Sequence, residues 1–294
     1  MFPITPTLSR PVTSIVSFFV LFKGFLLALA YIAALSPDYD TSTALFFQSQ
    51  TTDGQPPTTW SIAHRLTRWD GIYFVAASRP NGLVYEQQWA FGPAGLPALV
   101  SFMSNALGRI SLEPLIAIAV AHVSHLVAVL ALYHLTLRLS RDKRLALLSS
   151  LLHIVSPAGL FLSAPYAESP FACLSLLGHL LAVSSFQSSL KGDVILVAAG
   201  IVYGISTLFR SNGLISGLLF AVEAVMALAA FLQQQRLHHV RRLVAALVGG
   251  VCVAAGSVVP QFFAWKLYCG VEATRPWCSS LVPSIYSFVQ EAYW

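Results

Sequence analysis

Long apolar runs separated by short polar clusters set the pattern of this sequence. A helix that crosses a bilayer needs about 20 mainly apolar residues. Runs of that kind cover residues 12–35, 113–137, 144–164, 168–187, 192–210, 213–232 and 243–267. The stretch 90–108, from Ala90-Phe91-Gly92-Pro93 onward, is apolar too, but short and rich in Gly and Pro. It reads as an interfacial or re-entrant element. Residues 40–60 are rich in Thr, Gln and Pro and read as a surface loop. The first run is too long for the apolar core of a cleaved signal peptide and reads as a retained anchor. No domain-scale linker and no internal repeat is visible. The pattern predicts an all-α polytopic membrane protein, with residues 1–294 as a single integral membrane domain.

Charge orients the spans. Arg138, Arg141, Lys143 and Arg144 form one basic loop, and Arg236, Arg241 and Arg242 another. Basic loops stay cytosolic. With Arg10 also cytosolic and 90–108 not crossing, both basic loops and Lys191 fall on the cytosolic side. Residues 36–112 then form an outer loop with interfacial helices, and 165–167, 211–212 and everything after 267 lie outside. If 90–108 crossed, both basic loops would lie outside.

Composition agrees with the pattern. Of the 294 residues, 56% are hydrophobic and 10% charged, and mean hydropathy is +0.70. Soluble domains carry about 25% charged residues, so lipid must cover much of this surface. The net charge of +5 reports loop orientation. No run of Lys and Arg with interleaved aromatics occurs, which argues against nucleic-acid binding.

The polar residues expected on the outer side cluster at span ends. They include Arg68, Trp69, Asp70, Tyr85, Glu86, Tyr166, Glu168, Arg210, Asn212, Arg275 and Trp277. Any single Arg or Trp at a boundary serves well as an interface anchor. The convergence of several is what points to a site. Asp70 is an acid outside the bilayer yet within reach of it, as an enzyme acting on a lipid-carried substrate requires. Arg210-Ser211-Asn212-Gly213 joins two spans with almost no loop. A guanidinium held there suits a phosphate, or simply complements a helix C-terminus. Ser156-Pro157-Ala158-Gly159 should break the 144–164 span and open a cavity near Tyr166 and Glu168, unless neighbouring helices repair the kink.

Lys23 and Glu223 fall inside spans, where a charge faces a partner or a cavity. Lys23 also has the alternative of snorkelling. His122, His125, His153 and His179 read as packing residues. Asp38-Tyr39-Asp40 is a D-x-D pattern of the kind seen with metals in nucleotide-sugar enzymes, and equally an ordinary turn. Cys173 and Cys252 read as small apolar side chains, while Cys269 and Cys278 share the outer C-terminal segment and either pair or stay free. No Cys/His spacing resembles a zinc site.

Four blocks, in order, carry a resemblance. They are His64 to Phe74 with Arg68-Trp69-Asp70; Tyr85 to Pro93; Ser156-Pro157-Ala158 with Phe161, Tyr166 and Glu168-Ser169; and Arg210-Ser211-Asn212-Gly213. Together with Arg275-Pro276-Trp277-Cys278 they resemble the GPI mannosyltransferase 2 family, the PIG-V type. The resemblance implies a GT-C-type bundle of about seven to eight transmembrane helices with its active site in the first luminal loop. It implies a multi-pass protein of the endoplasmic reticulum membrane. The implied reaction is transfer of the second mannose, α-1,6-linked, from dolichyl-phosphate-mannose to the GPI-anchor precursor. Family members continue past Tyr293-Trp294, so this sequence is expected to lack their C-terminal spans.

In that scheme Asp70 is the catalytic base and Arg210 the leading phosphate contact. Trp69 is a sugar platform, and Arg68, Glu86, Tyr166, Glu168 and Asn212 are substrate-binding residues. Asp38 and Asp40 are second choices for the acid. No metal or cofactor is needed beyond the lipid-linked donor, and a small membrane partner subunit is a further expectation. The competing readings are a transporter or flippase, drawing on Lys23, Glu223 and the broken span, and a non-catalytic subunit of a membrane complex.

Overall fold

The computed structural model describes residues 8–35, 41–48, 62–83, 85–108, 112–187, 189–270 and 275–293. Among them every regular element is helical. The chain divides into two compact units, residues 1–82 with 96–173, and residues 83–95 with 174–294.

The first unit is built on α1 (Pro11–Ile32), α6 (Glu113–Ser140) and α7 (Lys143–Ile154). Proline opens α1 at a position whose N–H has no intrahelical acceptor. Ile15 and Phe19 of α1, Val129 and Tyr133 of α6, and Ala146, Leu147 and Ile154 of α7 form its core. The basic loop between α6 and α7 is a tight reversal. Arg141 takes a left-handed conformation at φ 59°, and the Asp142 carboxylate accepts the Arg144 and Leu145 amides at 2.7 and 3.2 Å. Shorter helices α2 (Ser42–Gln48), α3 (Ile62–Leu66), α4 (Asp70–Ala77) and α5 (Leu96–Ala106) complete the unit. The 11 residues of α5 rise about 16 Å, roughly half a hydrocarbon core.

The run expected to span from 144 to 164 is helical only as far as Ile154. Pro157 has no N–H to donate and pushes Ser156 out of helical geometry. The chain continues through turns and a short 3-10 segment, Phe161–Ser163, before α8 (Glu168–Ser184) begins.

The second unit contains α9 (Leu190–Phe209), α10 (Gly217–Gln234), α11 (Leu237–Tyr268) and α12 (Ile285–Tyr293), with a 3-10 turn at Glu86–Phe91. Ser189 caps α9 by accepting the Gly192 amide at 3.1 Å. Helices α9 and α11 touch through glycines. A Cβ on Gly200 would lie 2.4 Å from the Gly249 Cα, and one on Gly256 would lie 2.2 Å from the Gly204 carbonyl oxygen. Small residues four apart let membrane helices approach to backbone contact. Tyr203, Phe220, Leu196 and Val253 fill the core beside this seam.

Five helical segments among the described residues are long and apolar enough to cross a membrane: Pro11–Ile32, Glu113–Ser140, Leu190–Phe209, Ser211–Gln234 and Leu237–Tyr268. Two shorter apolar helices, Leu96–Ala106 and Glu168–Ser184, accompany them.

Candidate active site

Arg68-Trp69-Asp70-Gly71 is a tight turn that launches α4. The Gly71 amide donates to the Arg68 carbonyl at 2.9 Å, and the Ile72 amide to the Trp69 carbonyl at 3.0 Å. Trp69 sits at φ 47°, ψ −123°, torsions of the first central position of a type II′ turn, which favours glycine. Its indole is 65% exposed. Asp70 follows as the first residue of α4. A carboxylate at this position complements the helix dipole.

The segment after the broken span holds this turn from behind. Tyr166 is buried, and its hydroxyl donates to the Arg68 carbonyl at 3.0 Å. Pro165 packs closely on Gly71, where an added Cβ would lie 3.1 Å from the proline Cγ. The Tyr166 ring packs 4.0 Å from Phe161 and meets Phe74 edge-on at 6.1 Å. Burial, followed by the negative charge of Asp70, pushes the Tyr166 hydroxyl up to about 12, against an opposing backbone hydrogen bond from Gly71. Tyr166 is therefore a neutral donor beside the acid. Glu168 stands two residues further on, half-buried in the first turn of α8.

In the second unit Arg210 ends α9 in extended geometry, and its carbonyl accepts the Gly213 amide at 2.9 Å. Arg210 and Ser211 line a cavity of about 130 Å³ with Trp89, Thr207, Gln261 and Ser284. Gln261 holds one wall: its Oε1 accepts the Ser284 hydroxyl at 3.2 Å and the Tyr286 amide at 3.3 Å. Asn212 is exposed beside this turn. Glu86 is engaged within the protein. Its Oε1 accepts the Trp277 indole N–H at 3.2 Å and pairs with Arg275 at 3.5 Å. Cys269 and Cys278 are disulfide-bonded, with Cα atoms 5.6 Å apart, and tether the Arg275-Pro276-Trp277 segment that reaches Glu86.

Lys23 and Glu223, the charges expected inside spans, both have partners. The Lys23 ammonium donates to Ser163 Oγ at 2.7 Å and to the Gly159 and Leu162 carbonyls at 3.3 Å each. Glu223 pairs with Arg242 at 2.5 Å, and Arg241 pairs with Asp193. Arg242 also donates to the Ser185 carbonyl at 3.0 Å. His125 and His153 pack edge-on at 5.1 Å in the core of the first unit. Asp38 and Asp40 lie outside the described residues.

Some of these features left a trace in the sequence and some did not. Pro260-Gln261 interrupts an apolar run with a ring that cannot donate and an amide that can, which marked the cavity wall. Thr207 and Ser284 carried no such mark.

These elements define a polytopic helical membrane protein that presents an acid on a strained, clamped turn beside apolar spans. Comparison with known proteins gives the class its chemistry. The profile of the mannosyltransferase (PIG-V) family matches residues 12–294. A protein of Gibberella zeae named GPI mannosyltransferase 2 is 52% identical over 290 residues, covering 97% of this chain and 67% of its own length. Proteins of the same name from Chaetomium globosum and Aspergillus oryzae are 38% and 37% identical, each over 97% of this chain. The chain belongs to the PIG-V mannosyltransferase family, a family of membrane glycosyltransferases. It spans about two thirds of the length of these relatives, 67%, 69% and 67% respectively. No solved structure matches it.

Proposed function

We propose that this protein transfers mannose from dolichyl-phosphate-mannose to the glycosylphosphatidylinositol precursor, as its second, α-1,6-linked mannose, in the lumen of the endoplasmic reticulum. The observation that carries this reading is the Arg68-Trp69-Asp70-Gly71 turn, which sets a carboxylate at a helix start beside an exposed indole. The relatives' shared name supports the pathway. The disulfide supports an oxidising compartment on the side of Trp277.

The donor sugar is β-linked to phosphate and the product α-linked, so the reaction inverts the anomeric carbon. One base suffices. Asp70 takes the proton from the acceptor hydroxyl as the new C–O bond forms and the phosphate bond breaks. A positioned base of this kind contributes about 10²–10⁴-fold. Phosphate leaves readily without a strong acid; a guanidinium such as that of Arg210, which the family resemblance implies as the phosphate contact, suits the charge that develops on it. Trp69 offers its exposed face to the sugar. Glu168 and Asn212 supply hydrogen bonds to acceptor hydroxyls, and Arg68 flanks the acid. The chemistry uses no metal. Glu86 acts at one remove by holding Trp277 and Arg275.

The test is complementation of GPI-anchor synthesis in cells lacking the second mannosyltransferase. The wild-type chain is expected to rescue, and Asp70→Asn to fail at an equal protein level. Rescue by both would remove the base from the mechanism and keep the pathway.

A further inference from the structure

Lys23 lies in the interior of α1 and is 3% exposed, so its ammonium reaches neither water nor a lipid head group. A cation there is expensive unless its donors are used. Its three donors meet three acceptors, Ser163 Oγ at 2.7 Å and the carbonyls of Gly159 and Leu162 at 3.3 Å. These acceptors lie in the break that Pro157 creates, where helical pairing stops and carbonyls need other donors. Two hydroxyls also serve them. Ser163 Oγ donates to the Gly159 carbonyl at 3.1 Å, and Ser169 Oγ to the Leu162 carbonyl at 3.0 Å. Leu26, one turn along α1, presses on Gly159 so closely that an added Cβ would lie 2.9 Å from its Cδ1. The break is thus tied to α1 at a defined depth.

Just beyond the break comes the clamp on the acid. Pro165 and Tyr166 stand two and three residues after Ser163, and they hold Gly71 and the Arg68 carbonyl. We propose that Lys23 is a positioning residue for Asp70, acting through the Gly159–Ser163 break and the Tyr166 hydroxyl on the Arg68 carbonyl. The inference rests on the reading of Asp70 as the base. It assigns the intramembrane lysine to the geometry of the turn, with no contact to substrate.

The experiment uses the full chain in proteoliposomes, with dolichyl-phosphate-mannose and a GPI-precursor acceptor. Two variants are compared with wild type: Lys23→Met, which keeps the stem and removes the ammonium, and Tyr166→Phe, which removes one hydroxyl. Misplacing a catalytic group by about 1 Å costs up to ~10²-fold, so each variant should lower kcat by about tenfold or more while both KM values stay within about twofold. The double variant should be no slower than the slower single one, because both changes cut the same link. Hydrogen exchange of the Gly71 and Ile72 amides should accelerate in both single variants, since those bonds close the turn. Unchanged kcat, or exchange at the wild-type rate in a folded Lys23→Met protein, overturns the proposal. So do additive losses in the double variant. If Asp70→Asn retains transfer, the base reading fails separately, and the exchange rates alone then decide whether Lys23 sets the turn.

Discussion

A tryptophan at φ 47° occupies a conformation that suits glycine and costs a residue with a Cβ on the order of 1–3 kcal/mol. Folding gains little in return from a side chain that is 65% exposed. The turn is held from behind, with the Arg68 carbonyl bonded to the Tyr166 hydroxyl and Gly71 packed on Pro165. An exposed indole at a span boundary suits an interface anchor as well as the sugar platform proposed above, and the two roles differ in what a glycine there would do. On the platform reading, Trp69→Gly should keep or raise the thermal midpoint in detergent while lowering transfer by about tenfold or more, in line with the ~1–3 kcal/mol that stacking on an aromatic ring supplies elsewhere. Trp69→Phe should fall between, retaining strain and part of the platform. Full activity in Trp69→Gly would remove the stacking role and leave the strain unexplained.

Among helices, the tightest seam is between α9 and α11, where Gly200 and Gly204 meet Gly249, Cys252 and Gly256 backbone to backbone. Lipid tails are as apolar as leucine, so this contact gains its energy from close packing. Gly200→Leu cannot be absorbed by a rotamer change, because the obstructing atoms are the Gly249 backbone itself, 2.4 to 2.9 Å from an added Cβ. Loss of at least the ~1–3 kcal/mol typical of overpacking is expected, read as a lower midpoint and faster proteolysis within residues 190–268. Wild-type stability in that variant would show that the seam is not close-packed. The glycines were visible in the sequence, but nothing in it said which would face each other. The long apolar runs were legible because lipid imposes length and hydropathy on them: α1, α6, α9 and α11 fall where apolar runs predict. The run 144–164 shows the limit. Hydropathy continues through Phe161 and Leu162, while Pro157 ends the helix well before the predicted end of the run. The acid-bearing turn was legible as a polar cluster at a span boundary. Its positive-φ Trp69 was not, because the Pro165 and Tyr166 contacts that back the turn come from far away in sequence. Lys23 was legible as a charge needing a partner, and its acceptors became identifiable only once the break was folded.

At the scale of the second unit, three consecutive spans fix which ends share a compartment. Leu190–Phe209, Ser211–Gln234 and Leu237–Tyr268 are each long and apolar enough to cross, and three successive crossings would put the Arg210 turn and the residues just after Tyr268 on one side. The cavity bears this out, since Arg210 and Ser211 line it together with Ser284 and Tyr286. Near the opposite ends of α9 and α11, Asp193, Arg241 and Arg242 form one ionic knot, from which Arg242 also reaches Glu223 in the interior of α10. Pairing does not cancel the topological signal of those arginines, because orientation follows Lys and Arg and barely registers acids. The knot end is thus expected in the cytosol, and the Arg210 end, with the disulfide, in the lumen. Single cysteines placed at exposed sites test this. Gln233→Cys, at the end of α10, should react with a membrane-impermeant maleimide in sealed microsomes. Leu281→Cys, fully exposed just beyond Trp277, should react only after permeabilisation. The reverse pattern would place Arg210 on the cytosolic face, away from a luminal donor phosphate, and would take from Arg210 the role of stabilising the leaving group.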